Sequence, residues 1–186
     1  MADNTVKFLT KGIWVAIAFF VIRCIISMPE SAYDIFGFAG EAISVTTILM
    51  GVYNSILWKY NPLEKLPRLK GRYEGKIEYS FTGKEEIKHI EVIIKQTLLS
   101  VKVKITTDEI TSNTIVSNLV DENGEYILYY TYITNPKSKF RNENPIQYGT
   151  CRLTIKSMTE LKGVYWTSRQ TIGDMNLTMK ERKGEY

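Results

Sequence analysis

Two apolar runs separated by six residues dominate the start of the chain. The first, residues 12–28, reads "GIWVAIAFFVIRCIISM"; the second, residues 35–58, lies in "DIFGFAGEAISVTTILMGVYNSILW". The first is 17 residues long and carries one charge, Arg23, at the short end of what crosses a hydrocarbon core of about 30 Å. A secretory leader is the competing reading, because Lys7 and Lys11 precede the run. "SMPESAYD" offers no small-x-small cleavage site, however, and the second run follows almost at once. The pair therefore reads as a transmembrane hairpin occupying residues 1–58 and turning at Pro29. Lys7 and Lys11 flank one end, and Lys59, Lys65, Arg68, Lys70 and Arg72 the other. The connecting loop holds only Glu30 and Asp34. This charge bias puts both chain ends on the cytoplasmic side, with Trp14 and Trp58 expected at the interface.

The second run is unusual for a span, since it holds Glu41 and many small residues. At about 100° per residue, Gly37, Gly40, Ser44, Thr47, Gly51 and Ser55 fall on one stripe about 120° wide. Bulky Ile43, Val45, Leu49, Val52 and Ile56 lie mostly elsewhere. Small residues let helices approach closely in lipid. A carboxylate there must pair, face water or be neutralised. Two readings stand. Glu41 and Arg23 tie the hairpin to itself or lie near the interface; or Glu41, Gly40, Ser44, Gly51 and Arg23 serve assembly between chains or a water-lined path.

Beyond the hairpin the pattern changes. Residues 59–70, with Pro62 and Pro67, read as a short stiff linker. Residues 71–186 carry Val, Ile, Thr and Tyr in alternation. Eight strands are expected, at about 71–81, 87–95, 98–107, 114–120, 125–134, 147–157, 161–170 and 173–182. "ENGE" marks an Asn-Gly hairpin turn, and "TNPKSKFRNENP" is the one long loop, a basic one. Eight consecutive short strands predict an all-β domain: an eight-stranded antiparallel up-and-down, lipocalin-like β-barrel, with a sandwich as the alternative. Such a barrel holds its own side chains or one small ligand.

Alternation assigns the inner face. Tyr73, Gly75, Ile77, Tyr79 and Phe81 share one side of the first strand; Leu99, Val101, Val103, Ile105 and Thr107 of the third; Tyr126, Leu128, Tyr130 and Tyr132 of the fifth. Gly163, Tyr165, Thr167 and Arg169 share a side of the seventh, and Met175, Leu177 and Met179 of the last. The interior is rich in Tyr and ends in polar groups at one rim. Aromatic rings stack on bases, and Arg suits phosphate. Tyr also simply fills strands, but an inward Arg169 needs an anion or a carboxylate. The ligand-site candidates are Tyr79, Thr107, Arg152 and Arg169, followed by Tyr130 and Tyr165. Parity places Arg152 outside, unless a bulge near Gly149 reverses it.

Of 24 Lys and Arg residues three lie in the first 58 positions, and of 20 Asp and Glu residues four, so the remainder carries +5. That mild excess suits an anionic ligand, a membrane surface or no particular partner. The two cysteines, Cys24 and Cys151, are not expected to pair, because Cys24 falls in an apolar span. His89 is the lone histidine and sits beside Lys88 and Glu91 on a polar face. No metal-ligand spacing, nucleophile motif or dinucleotide fingerprint occurs, and Asp108 and Glu109 read as a polar turn. No enzyme, catalytic residue, metal or cofactor is expected.

"LKGRYEGKIEYSF" begins the barrel region and "LKGVYWTSRQTIGDMNLTMKER" closes it. The first contains Gly71-Arg-Tyr-Glu-Gly75; the second spaces Gly163, Tyr165, Thr167, Arg169, Thr171 and Gly173 along one strand pair. With the hairpin in front, the whole chain resembles the two-transmembrane β-barrel effectors of cyclic-oligonucleotide antiphage (CBASS) operons. The resemblance implies a nucleotidyltransferase that makes a cyclic dinucleotide on infection. It also implies binding in the barrel, homo-oligomerisation and disruption of the bacterial inner membrane, ending in cell death. The partners implied are that nucleotide, the lipid bilayer and further copies of the chain, and no nucleic-acid polymer. A lipocalin-like carrier of a lipid or other apolar ligand, and a membrane adaptor binding a protein along a sheet edge, are the alternatives.

Overall fold

The computed structural model describes residues 2–69, 71–81, 84–142 and 144–180, without the side chains of residues 2, 3, 81 and 84. Lys70, the Phe81 side chain and the expected end of the last strand at 181–182 lie outside the described residues. Two compact units form. One holds the chain up to Lys65 together with the turn Thr97–Leu99; the other holds Leu66–Gln96 and the chain from Ser100 onward.

The first unit is a pair of packed helices, α1 (Ala2–Ile26) and α2 (Ala32–Ser55). Both are long and apolar enough to cross a membrane; at 1.5 Å per residue each measures about 35 Å. Helix α1 begins ten residues before the apolar run, so Lys7 and Lys11 are helical, interleaved with the apolar Val6, Phe8 and Leu9. Ser31 caps α2 in a capping box with Asp34, which stops the chain at Pro29 from fraying into the turn. Ala42 and Thr46 are buried. Phe8 stacks on Tyr53 at 6.5 Å, and a Cβ on Gly12 would touch Met50 at 3.4 Å.

Arg23 donates from Nε to Glu41 Oε2 at 2.8 Å and its guanidinium lies 4.2 Å from the Phe38 ring centre. Glu41 thus neutralises Arg23 inside the hairpin. The small stripe lies on a different side of α2. A Cβ on Gly37, Gly40 or Gly51 would meet nothing within 4 Å, and Ser44, Thr47 and Ser55 are exposed. Thr47 and Ser55 donate back to the carbonyls of Ile43 and Gly51, at 2.8 and 2.9 Å. Their hydroxyls are therefore satisfied without water. Trp58 departs from expectation. It sits in a short 3-10 turn, Leu57–Tyr60, and is 1% exposed, whereas Trp14 is fully on the surface at 67%.

The second unit is a closed barrel of eight antiparallel strands, each paired with its neighbours in sequence and the first with the last. They are β1 (Gly71–Phe81), β2 (Lys84–Gln96), β3 (Val101–Thr106), β4 (Ile110–Glu122), β5 (Glu125–Pro136), β6 (Tyr148–Ile155), β7 (Glu160–Thr167) and β8 (Ile172–Met179). Closure removes the unpaired sheet edges that an open sandwich would keep. Asn123 and Gly124 take positive φ of 56° and 88° and make the two-residue turn between β4 and β5.

The alternation sorts the core. Tyr73, Val92, Ile94, Val103, Leu128, Tyr130, Cys151, Leu153, Leu161 and Leu177 pack inside. Gly163 permits the tight approach of β6, because a Cβ there would strike the Arg152 carbonyl. Several strand boundaries differ from the sequence reading, among them the start of β2 at Lys84 and that of β4 at Ile110, four residues before the expected 114. Leu99 lies in the turn before β3, and Arg169 lies in the β7–β8 turn, past the end of β7 at Thr167. In β4 the register shifts between Thr114 and Val116. The bulge moves the inward positions from Ser112 to Ser117 and Leu119. Thr114 Oγ1 bridges the gap by bonding both N–H and C=O of Val103, each at 2.9 Å.

Candidate functional site

A cavity of about 440 Å³ lies within the second unit, at one end of the barrel, within the range of small-molecule sites. Its deeper wall is apolar and aromatic: Ile77, Ile105, Tyr132, Tyr165 and Met175. Its rim is polar and comes from strand ends and turns: Tyr79, Glu86, Lys88, Thr107, Glu109 and, across the mouth, Thr167, Arg169 and Thr171. Ser112, Thr134, Asn144 and Gln147 complete the polar side.

Four of the six expected ligand-site residues meet here: Tyr79, Thr107, Tyr165 and Arg169. The spacing of the closing run explains the last two. Residues 165, 167, 169 and 171 keep one parity through the end of β7 and its turn, so all four side chains line the cavity. Gly173 leaves room for the aromatic wall, since a Cβ there would lie 2.7 Å from both Tyr79 and Tyr165. Arg169 faces the cavity from a turn rather than from a strand, and its N–H donates to Thr167 Oγ1 at 3.3 Å.

The other two, Arg152 and Tyr130, do not line the cavity. Arg152 does not reach the cavity. No bulge interrupts β6: Arg152 pairs with Tyr129 on one side and Val164 on the other in unbroken register. Its side chain therefore stays on the outer face, where it bonds Tyr129 Oη and Glu122 Oε2, each at 2.9 Å. Tyr130 is inward but too deep. It pairs with Cys151 in the middle of the sheet and is 2% exposed, two residues below Tyr132, which is the one that lines the cavity.

The rim is a set of interlocked polar contacts. Tyr79 donates its hydroxyl to Glu86. Lys88 Nζ contacts Glu109 Oε2 at 2.9 Å and lies 5.9 Å from the Tyr79 ring centre. Asn144 Nδ2 donates to the same Glu109 oxygen at 2.9 Å. Thr107 is occupied with local structure: Oγ1 accepts from the N–H groups of Glu109 and Ile110, at 3.2 and 3.0 Å, and so sets the β3–β4 turn.

These contacts tune the titrating groups. Partial burial alone would lower the Lys88 ammonium. Its hydrogen bonds to Glu109 and Tyr79 outweigh that and hold it above the ordinary lysine value. Burial, with the Glu86 bond second, raises the Tyr79 phenol, and burial raises Tyr132 and Tyr165 as well. All three are neutral at physiological pH and offer O–H groups and ring faces. The site can stack planar groups, bond their edges and hold an anion. Among the described residues, no three His, Cys, Asp or Glu side chains are grouped to hold a metal.

Glu86, Lys88 and Glu109 are the charged lining residues that sequence reasoning passed over. The signal was present. Ile90, Val92 and Ile94 face inward, and the same even parity carried back along β2 reaches Lys88 and Glu86. Glu109 had no such signal, because turn residues follow no period.

The family model "Cap15, cyclic dinucleotide receptor domain" matches residues 64–179. "CD-NTase-associated protein 15" of Staphylococcus schleiferi is 38% identical over 167 residues, which cover 88% of this chain and 91% of that relative. A family match over the whole barrel, and a relative alike along nearly the full length, place this chain in the Cap15 family of CBASS-associated proteins, with the barrel as its cyclic dinucleotide receptor domain.

Proposed function

We propose that the cavity at the barrel end is the cyclic dinucleotide site, and that its occupancy switches the hairpin into a membrane-disrupting assembly. The observation that carries the reading is the make-up of the cavity. Tyr79, Tyr132 and Tyr165 supply stacking surfaces beside Lys88 and Arg169, cations suited to phosphate. An apolar cargo has no use for that charged rim, which weighs against a lipid carrier. The messenger comes from a cognate nucleotidyltransferase, and the protein itself is a non-catalytic receptor.

The output is self-association in the bacterial inner membrane, with both termini cytoplasmic. Support comes from the charged flanks of the hairpin and from the small-residue stripe of α2. That stripe is exposed and angularly distinct from the Ala42–Thr46 side that packs within the chain. A stripe of this kind allows close helix contact in lipid. Copies meeting along it breach the bilayer and kill the infected cell.

Calorimetric titration of the full-length protein with cyclic di-AMP, cyclic di-GMP, cyclic AMP–GMP and cyclic di-UMP tests the reading. One member binds tightly, and Arg169→Ala weakens it at least about tenfold while the barrel's circular dichroism is retained. Wild-type protein that binds none of them, or an Arg169→Ala variant that binds like wild type, refutes this assignment of the site.

A further inference from the structure

We propose that Glu109 is a built-in competitor of the ligand's phosphate for Lys88, and that it sets the nucleotide concentration at which the receptor fills. The inference rests on the cavity being the cyclic dinucleotide site.

Charge balance motivates it. The described cavity lining holds two cations, Lys88 and Arg169, and two carboxylates, Glu86 and Glu109. A cyclic dinucleotide brings two phosphodiester charges into this balanced, partly desolvated space. With both carboxylates left in place, the filled site carries an excess of two negative charges, a repulsion that the partial exposure of the rim screens only in part. Binding is favoured when one carboxylate gives way. Glu86 is engaged with the Tyr79 hydroxyl. Glu109 holds the ammonium itself, with Oε2 2.9 Å from Lys88 Nζ, where a phosphate oxygen would sit.

Glu109 is also built to hold that place. Thr107 Oγ1 fixes its N–H at 3.2 Å and its C=O accepts from Lys137 N–H at 2.9 Å. Asn144 then donates to the same carboxylate oxygen that contacts Lys88. The carboxylate is thus preorganised, so a weak ligand anion does not displace it, whereas a dinucleotide that also stacks on the tyrosines does. The Lys88–Glu109 contact is about one-third exposed at each partner, 33% and 27%. Exposed pairs are individually weak, so the barrier shifts the threshold without closing the site.

The test is titration of the full-length protein and three variants with the four cyclic dinucleotides named above. Glu109→Gln keeps the shape and the Asn144 acceptor but removes the charge, and affinity rises about three- to tenfold. Glu86→Gln removes an equal charge from the same cavity but not from Lys88, and gains clearly less. Lys88→Gln loses at least about tenfold. Unchanged or weaker binding by Glu109→Gln overturns the proposal, as does an equal gain from Glu86→Gln, which would reduce the effect to general repulsion. Wild-type binding by Lys88→Gln overturns it too. These failures are separable from failure of the site itself, in which wild type binds no dinucleotide and both readings fall together. Melting curves for each variant keep folding defects apart from binding.

Discussion

Replacing Gly51 by Leu separates the fold of the hairpin from its assembly. A Cβ on Gly51 meets nothing within 4 Å, so the larger side chain projects into space that no other part of the hairpin uses. Inside a helix Gly is about 1 kcal/mol less favourable than a good helix former, so the isolated hairpin is unchanged or slightly more stable. Between copies the outcome reverses. Helices that meet along small residues approach more closely than the usual 8–10 Å between axes. Leucine forces the ordinary spacing and removes packing worth about 1–2 kcal/mol per contact. Each 1.4 kcal/mol is about a tenfold loss in association, and an assembly with several such contacts loses more. Cross-linking in membranes with nucleotide present, alongside cell permeability, reads the effect. Nucleotide binding stays as in wild type, while cross-linked multimers and permeability fall. Ala42→Leu is the counterpart: Ala42 is 4% exposed, so that change disturbs the packing of the hairpin itself. Multimers and permeability at wild-type levels in Gly51→Leu refute the assembly face, and failure to insert refutes the claim of unused space.

Arg152→Ala leaves nucleotide affinity within about twofold and barely moves the melting temperature, because its partner Glu122 and it are both more than one-third exposed, at 37% and 39%; calorimetry and melting check the two parts. Tyr130→Phe is neutral or stabilising by about 1 kcal/mol. The Tyr130 hydroxyl is buried with only the Cys151 thiol, a weak partner, against it; a clear loss of melting temperature contradicts that. Burial raises the Cys151 thiol to about 12 and pushes Tyr130, Tyr132 and Tyr165 up from 10.0. The folded state therefore holds these protons more tightly than the unfolded chain, so their contribution to stability is complete below about pH 9 and declines as pH rises toward 12. Melting temperatures across that window, and the lack of Cys151 alkylation by iodoacetamide at pH 8, are the measurements.

Much of the fold was legible because periodicity is a local property. Alternation along β1, β5 and β8 identified Tyr73, Tyr130 and Leu177 as inward, and burial agrees. It also settled Arg152 as outward, once no bulge appeared at Gly149. The site was harder to read. Arg169 was reachable through the parity of the closing run, whereas Lys88 and Glu86 looked like an exposed polar stretch until the even positions of β2 were traced outward from Ile90. Glu109 and Asn144 lie about thirty-five positions apart in the chain, in turns with no period to betray their direction. Their meeting on one carboxylate oxygen is a tertiary event.

The division follows the range of the forces. Amino-acid order alone determined two apolar spans, the charge asymmetry of their flanks, and eight alternating strands, since each depends on neighbours a few residues away. Only closure of the sheet decided that Tyr79, Lys88, Glu109 and Arg169 share one rim, and that Lys88 is already paired there. Only helix packing decided that Glu41 is satisfied by Arg23, and that the small stripe of α2 faces away from the side buried within its own chain. Those outcomes depend on long-range register, where a shift of one residue turns every side chain to the opposite face.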